Sequence, residues 1–384
     1  MKIIDGIKFF TAYFAAVLLQ NTPKYNNVWV ISERRDECKD NGYHLFKFIR
    51  ENHPDVHVYY AIDKDSDQKN KILKYGNVIN YNSWNHYFLA IVATRLMGAF
   101  LPCGIPDSVC FYKFEKLVKG KKIFLQHGIT QSRVSSLFYE NTKVDCYICG
   151  AKPEFEYIHE NFHYPEGVVK YTGFSRFDNL FRFSCEKIIL IMPTWRRWIP
   201  SATWGKNRKG NPDEYEFFHR YRELINDERF KLLASSGDMK IVFFLHHEAQ
   251  QYLDFFVNTN NYVIYASEKE YDVQALIKKC SCLITDYSSV AFDVAYMEKP
   301  VIYYQFDEDR YYSEHYPKGY FDHETMGFGP KASTLDQVIE SLRIISENNY
   351  QLQKEYKDRA DSFFELHDNC NCKRIYDVIV GLGE

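Results

Sequence analysis

"CLITDYSSVAFDVAYMEKPVIYYQFD", residues 282–307, decides the fold. It opens on a short apolar run and breaks at Asp286, Tyr287, Ser288 and Ser289. A helical pattern follows, then a second apolar run that ends at Asp307. Near-continuous apolar runs, as opposed to alternating ones, mark strands buried on both faces. Strand, helix and strand in that order make a βαβ unit, and its two strands lie parallel. The polar break falls at the C-terminal end of the first strand, where open parallel sheets hold their ligands.

Working outward, the same alternation fills the chain. In the first half "NVWVIS" (27–32), "VHVYYAI" (56–62), "LMGAFLP" (96–102), "KIFLQH" (122–127) and "VDCYIC" (144–149) read as strands. In the second half "IILIMPT" (188–194), "KIVFFLH" (240–246), "YVIYA" (262–266), "SCLITD" (281–286) and "PVIYYQ" (300–305) do the same. Helical stretches such as "GYHLFKFIREN" (42–52) and "SWNHYFLAIVATR" (83–95) lie between them. A polar, turn-rich stretch, "TGFSRFDNLFRFSCEK" (172–187), separates the halves. The expectation is an α/β protein of two Rossmann-like, doubly wound domains with an active-site cleft between them. An apolar helix at 1–22 precedes a first domain at 23–175 and a second at 176–384.

The 384 residues suffice for two cores, and 46% hydrophobic with 26% charged residues is a globular balance. A formal net charge of -3 argues against nucleic acid, whose partners carry a basic stripe. The ten cysteines include Cys146 and Cys149 at CxxC spacing, but inside a strand and with no second pair to complete a zinc site. Buried free thiols in a reducing cytoplasm are expected, and no metal held by the protein. The apolar run Phe9–Leu19, preceded by Asp5 and Lys8, is too short to span a bilayer. It reads either as a helix packed on the domain or as one lying in the membrane interface, a peripheral contact on the inner face of the cell membrane.

Four polar motifs follow strands. At Asp286–Ser289, Ser288 or Ser289 suits an N-cap, and a helix start offers free amides to phosphate. Thr285 and Asp286 shape that pocket, and Asp293, about a turn inside the helix, meets a ligand hydroxyl or faces Lys299. His127 and Gly128 end another strand; the glycine lets a ligand approach the backbone, and the imidazole suits a general base. His246 and His247 read as hydrogen-bond donors beside phosphate. Thr194 and Arg196 lie in "PTWRRW" (193–198), where a guanidinium fork suits phosphate oxygens. The basic stretch "GKNRKGNP" (205–212) suits the flank of a polyanion. GxGxxG, GxxxxGK[ST] and GxSxG are absent, and Asp63, Asp65 and Asp67 read as an exposed loop rather than a metal-holding motif.

The ordered set "SERRDECKDNGYHLFKFIRENHP", "LQHGIT", "MPTWRRW", "FFLHHE" and "LITDYSSVAFDVAYMEKPVIYYQFD" resembles the CDP-glycerol glycerophosphotransferase family, the polymerases and primases of teichoic acids and related capsular polymers. The resemblance covers about residues 27–384, and "LHDNCNCKRIYDVI" (366–379) looks like the family's C-terminal helix, packing back toward the first domain. It implies a GT-B-like fold and transfer of an alditol phosphate from a CDP-alditol donor to a polymer or lipid-linked oligosaccharide acceptor. It implies His127 as base and His246 as the donor-side histidine. His247 stands where the family usually has Pro, and Gln126 where it often has Trp. Mg²⁺ carried on the donor diphosphate is compatible with this reading. A nucleotide-sugar glycosyltransferase of the same fold and a non-catalytic scaffold of a polymer-synthesis complex are the alternatives. The former would release a nucleoside diphosphate in place of CMP.

Overall fold

The computed structural model describes residues 3–181, 183–201, 210–257 and 261–383. Most of the basic stretch 205–212 lies outside them. Two compact units form: unit 1 comprises 1–129, 135–179 and 366–384, and unit 2 comprises 130–134 and 180–365.

Unit 1 holds a seven-stranded, all-parallel sheet. Its strands are β1 (Trp29–Ser32), β2 (Val58–Ile62), β3 (Val78–Asn80), β4 (Arg95–Gly98), β5 (Lys121–Phe124), β6 (Cys146–Cys149) and β7 (Val169–Tyr171), in the order β3-β2-β1-β4-β5-β6-β7. Unit 2 holds six parallel strands: β8 (Ile188–Ile191), β9 (Lys240–Phe244), β10 (Val263–Ala266), β11 (Cys282–Thr285), β12 (Val301–Tyr304) and β13 (Lys331–Ala332), in the order β10-β9-β8-β11-β12-β13. Each sheet reverses its winding once, between β1 and β4 and between β8 and β11, and such points are where doubly wound sheets bind ligands.

The ten strands expected from apolar runs are all present. The three that the runs did not show, β3, β7 and β13, are edge strands whose residues are mostly half-exposed, so they carry no continuous apolar signature. The runs also overshoot the strands. "KIFLQH" reaches residue 127, yet β5 stops at Phe124 because Gln126 takes a left-handed conformation, φ +58°.

The boundary between the units falls at 179/180 in place of the expected 175/176, and the stretch from 366 belongs to unit 1, the side toward which the terminal helix is expected to pack. The terminal helix Asn371–Gly381 packs in unit 1: Asp178 accepts the backbone N–H of Asn371 and of Cys372, each at 2.8 Å, and Arg95 Nε donates to the Ile379 carbonyl at 3.2 Å. His53 stacks on Tyr376 of the same helix at 3.8 Å. The short stretch 130–134 instead belongs to unit 2, where Arg133 N–H donates to the Pro317 carbonyl at 3.3 Å.

The helix Ile3–Leu19 buries Gly6, Phe9, Ala12 and Ala16 and sets Phe9 edge-on to Phe111. The two charges that interrupt its apolar run are anchors: Asp5 accepts from the Tyr87 hydroxyl at 2.7 Å and the Ser108 hydroxyl at 2.5 Å, and Lys8 donates to the Asn82 carbonyl at 3.0 Å. Its outer face, with Ile3, Ile4, Ile7, Phe14, Val17 and Leu18, is exposed. Among the described residues no helix is long and apolar enough to cross a membrane. The cysteines are free thiols, all buried except Cys185 and Cys370.

Candidate active site

In unit 2 the loops after β8 and β11 flank the winding reversal. They are joined by Asp286, which is wholly buried and accepts from the backbone N–H of Thr194 at 2.8 Å and of Tyr287 at 2.6 Å. Thr285 donates its hydroxyl to the Met192 carbonyl at 2.5 Å. Arg196 does not reach outward. It is fully buried, pairs with Asp286 at 2.9 Å and with Asp307 at 2.7 and 3.0 Å, and donates to the Thr194 carbonyl at 2.6 Å. Phe217, Tyr287 and Tyr311 surround the guanidinium at 5.2 Å each. The role expected for Arg196 as a phosphate ligand is therefore corrected: its fork is engaged internally, because the buried Asp286 and the half-buried Asp307 need its charge. Asp286 and Thr285 likewise brace the loops from below.

The neighbouring histidines part company. His246 is half-buried after β9, accepts the Glu248 N–H on Nδ1 at 3.3 Å and stacks toward Trp195 of the β8 loop, ring centres 6.3 Å apart. His247 is exposed and its Nδ1 lies 2.6 Å from Glu268, just past β10. Since β9 lies between β8 and β10, His246 leans toward the winding reversal and His247 away from it. His247 is thus set on the β10 side of β9, bonded to Glu268.

Ser288 and Ser289 are half-buried and precede the helix Val290–Tyr296. Ser288 Oγ accepts the Val290 N–H at 3.4 Å, while Ser289, at the cap position, makes no side-chain cap bond. Asp293 is buried within that helix. It does not serve Lys299, whose ammonium goes to the Ile277 and Lys278 carbonyls at 2.9 and 2.7 Å.

In unit 1, His127 and Gly128 follow β5. The imidazole stacks on Phe100, centres 4.6 Å apart, and Arg34 lies over the same phenyl ring at 4.7 Å. Phe100 follows β4 and Arg34 follows β1, so this group sits at the winding reversal of the first sheet. Gln126 does not face outward; it is buried, and Nε2 donates to the Tyr147 hydroxyl at 2.6 Å. Asn41 Nδ2 donates to the Gln126 carbonyl at 2.7 Å. The packed protein around His127, then Arg176 and Arg34, lower its pKa to about 4. The ring keeps an open face to solvent, which limits the depression, but the sign leaves it neutral and basic at pH 7.

A sequence model of the family described as CDP-Glycerol:Poly(glycerophosphate) glycerophosphotransferase matches residues 12–381. The chain belongs to this family. It is 36% identical over 363 residues to the minor teichoic acid biosynthesis protein GgaB of Bacillus subtilis, covering 92% of this chain and 40% of GgaB. It is 24% identical over 398 residues to a teichoic acid glycerol-phosphate transferase of Staphylococcus aureus, covering 96% of each. The structure of the wall teichoic acid polymerase TagF superposes over 99% of this chain and 98% of its own, at 17% identity and a TM-score of 0.66, which shows a common fold. The chain thus spans less than half of GgaB. It is a member of the glycerophosphotransferase family, similar to proteins of teichoic acid biosynthesis.

Within this glycerophosphotransferase frame, several residues at the sites gave no sequence signal. Phe100 lies inside an apolar run, and Arg34, though within the "SERRDECKDNG" stretch, takes no role of its own from it. Asp307 closes a run that reads as purely structural. His315 lies beyond a short helix, far in sequence from the β8 loop that it touches. Among the described residues no group of three or more His, Cys, Asp or Glu could hold a metal ion.

Proposed function

We propose that this chain transfers an alditol phosphate, glycerol phosphate or ribitol phosphate, from a CDP-activated donor to a hydroxyl of a teichoic-acid or capsular polymer or its primer. The observation that supports it most is a family match that runs through both units. The acceptor oxygen attacks the phosphorus bearing the alditol and gives its proton to His127 Nε2 or Nδ1. The bond from that phosphorus to the bridging oxygen breaks, and CMP leaves with the bridging oxygen. A pKa near 4 makes a weak base, and the anionic substrates raise it toward the range where proton transfer is efficient.

On the donor side, His246, the Thr194 hydroxyl and the amides and hydroxyls at Ser288 and Ser289 are the groups offered to the diphosphate. Serine hydroxyls, amides and an imidazole suit phosphate oxygens better than a bare divalent ion. Any magnesium would arrive on the diphosphate and share its charge.

The test is incubation of the protein with CDP-glycerol, CDP-ribitol and a set of UDP-sugars, with a lipid-linked primer, scoring the nucleotide formed. CMP from a CDP-alditol is the expected product. UDP from a UDP-sugar, with no CMP, would replace this reading with sugar transfer.

A further inference from the structure

Among the described residues of unit 2 several buried polar atoms lack a hydrogen-bond partner, Oε1 of Gln305 after β12 among them, and two of these concern the β8 loop. They are Oγ1 of Thr194 and Nε2 of His315. His315 follows the helix Glu308–Glu314 and is 2% exposed. Its Nδ1 accepts the backbone N–H of Arg197 at 3.1 Å. An imidazole that accepts on Nδ1 carries its proton on Nε2. That N–H is therefore a donor, fixed in direction, with no acceptor among the described residues.

The ring is held on three sides. It stacks on Tyr311 at 4.7 Å, meets Trp195 edge-on at 4.9 Å and lies against Tyr316 at 4.5 Å. Trp195 in turn stacks toward His246, so the two histidines share one indole as a wall. Burial, then Arg196, Arg197 and His246, lower the His315 pKa to about 3. The imidazole stays neutral at physiological pH, and the Arg197 charge near it also favours an anion beside it. Buried polar groups in native proteins almost always have partners, so an orphaned donor on a ring that is bonded to the β8 loop, beside an orphaned hydroxyl of that loop, points to a ligand.

We propose that His315 is a substrate-binding residue, donating from Nε2–H to a phosphoryl oxygen of the nucleotide-activated donor. Thr194 supplies a second donor from the β8 loop. The inference rests on the donor reading given above.

The two ring nitrogens can be tested apart. In His315→Asn the amide oxygen takes the place of Nδ1, keeping the Arg197 bond, and the distal donor is lost. In His315→Gln the amide nitrogen reaches the place of Nε2, and the Nδ1 acceptor is lost. Calorimetric titration of the full chain with CDP-glycerol, and thermal unfolding, are run on all three proteins. Losing a hydrogen bond to a charged group weakens binding about ten- to a hundredfold. His315→Asn should show that loss with an unfolding temperature near that of the unaltered protein, and His315→Gln should recover most of the affinity. A merely structural role gives the reverse: His315→Gln the weaker binder, with affinity tracking stability. Equal binding by His315→Asn and the unaltered protein also overturns the proposal. If cytidine alone loses as much affinity as CDP-glycerol does, the contact is to the nucleoside and the phosphate assignment fails. No binding of CDP-glycerol or CDP-ribitol by the unaltered protein would overturn the donor reading itself, and this inference with it.

Discussion

Gln126 carries a cost that explains its neighbour. A non-glycine residue at φ +58° is disfavoured by about 1–3 kcal/mol and persists only where its surroundings over-determine it. Here the Tyr147 hydroxyl takes the side chain and Asn41 takes the carbonyl. The kink turns the chain out of β5 and sets His127 against Phe100. His127→Ala should lower turnover by about 10²–10⁴-fold, the usual worth of a general base, with CDP-glycerol affinity unchanged. Turnover like that of the unaltered protein would remove His127 from the mechanism. The lowered pKa adds a sign: the base stays neutral as pH falls through 6.5, so the acid limb of kcat/KM should lie below the ordinary histidine value. A limb at 6.5 or above would show that His127 is not the group titrating.

At the level of elements, the ends of β8, β11 and β12 are tied by Arg196, Asp286 and Asp307. A buried ion pair adds little over an apolar substitute, but removing one partner strands the other charges, at about 3–5 kcal/mol. Arg196→Met should therefore appear first as a loss of stability in urea unfolding. Ser289→Glu should do the opposite, leaving stability nearly intact and abolishing CDP-glycerol binding by bulk and repulsion, while Ser289→Ala changes affinity little because the backbone amides remain. If Arg196→Met is as stable as the unaltered protein and only donor affinity falls, Arg196 is a ligand after all. If Ser289→Glu binds donor normally, the phosphate lies elsewhere.

For the molecule as a whole, burial holds His86, His315 and His323 at pKa values of about 4, 3 and 3. Unfolded, each returns to about 6.5. Between pH 6.5 and 4 the unfolded chain thus binds more protons than the folded one, and stability rises with pH across that window. The contribution is complete above pH 6.5 and is lost as pH falls, at up to about 1.4 kcal/mol per pH unit for each ring. The unfolding temperature should drop clearly from pH 7 to pH 5. His86→Gln or His323→Gln should flatten the drop, and a flat profile in the unaltered protein would mean that the rings take up protons while folded.

The sequence by itself determined the two parallel sheets, their central strands with the edge strand β10, and the family. Strands covered on both faces must be apolar throughout, and the turn to the next helix must be polar, so both leave local signatures. Edge strands β3, β7 and β13 left none, since solvent on one side permits mixed residues. Tertiary structure alone decided which polar residues at the strand ends face outward. Arg196 and Asp286 are local matches to a phosphate motif, yet each satisfies the other's charge in the interior. His246 and His247 are adjacent in sequence but lean to opposite neighbours of β9. His315 has no motif around it and gains its role only because folding brings it onto the loop after β8, more than a hundred residues earlier in the chain. Periodicity and composition are properties of neighbours along the chain. Charge pairing and orphaned donors are properties of neighbours in space, which only the packed fold supplies.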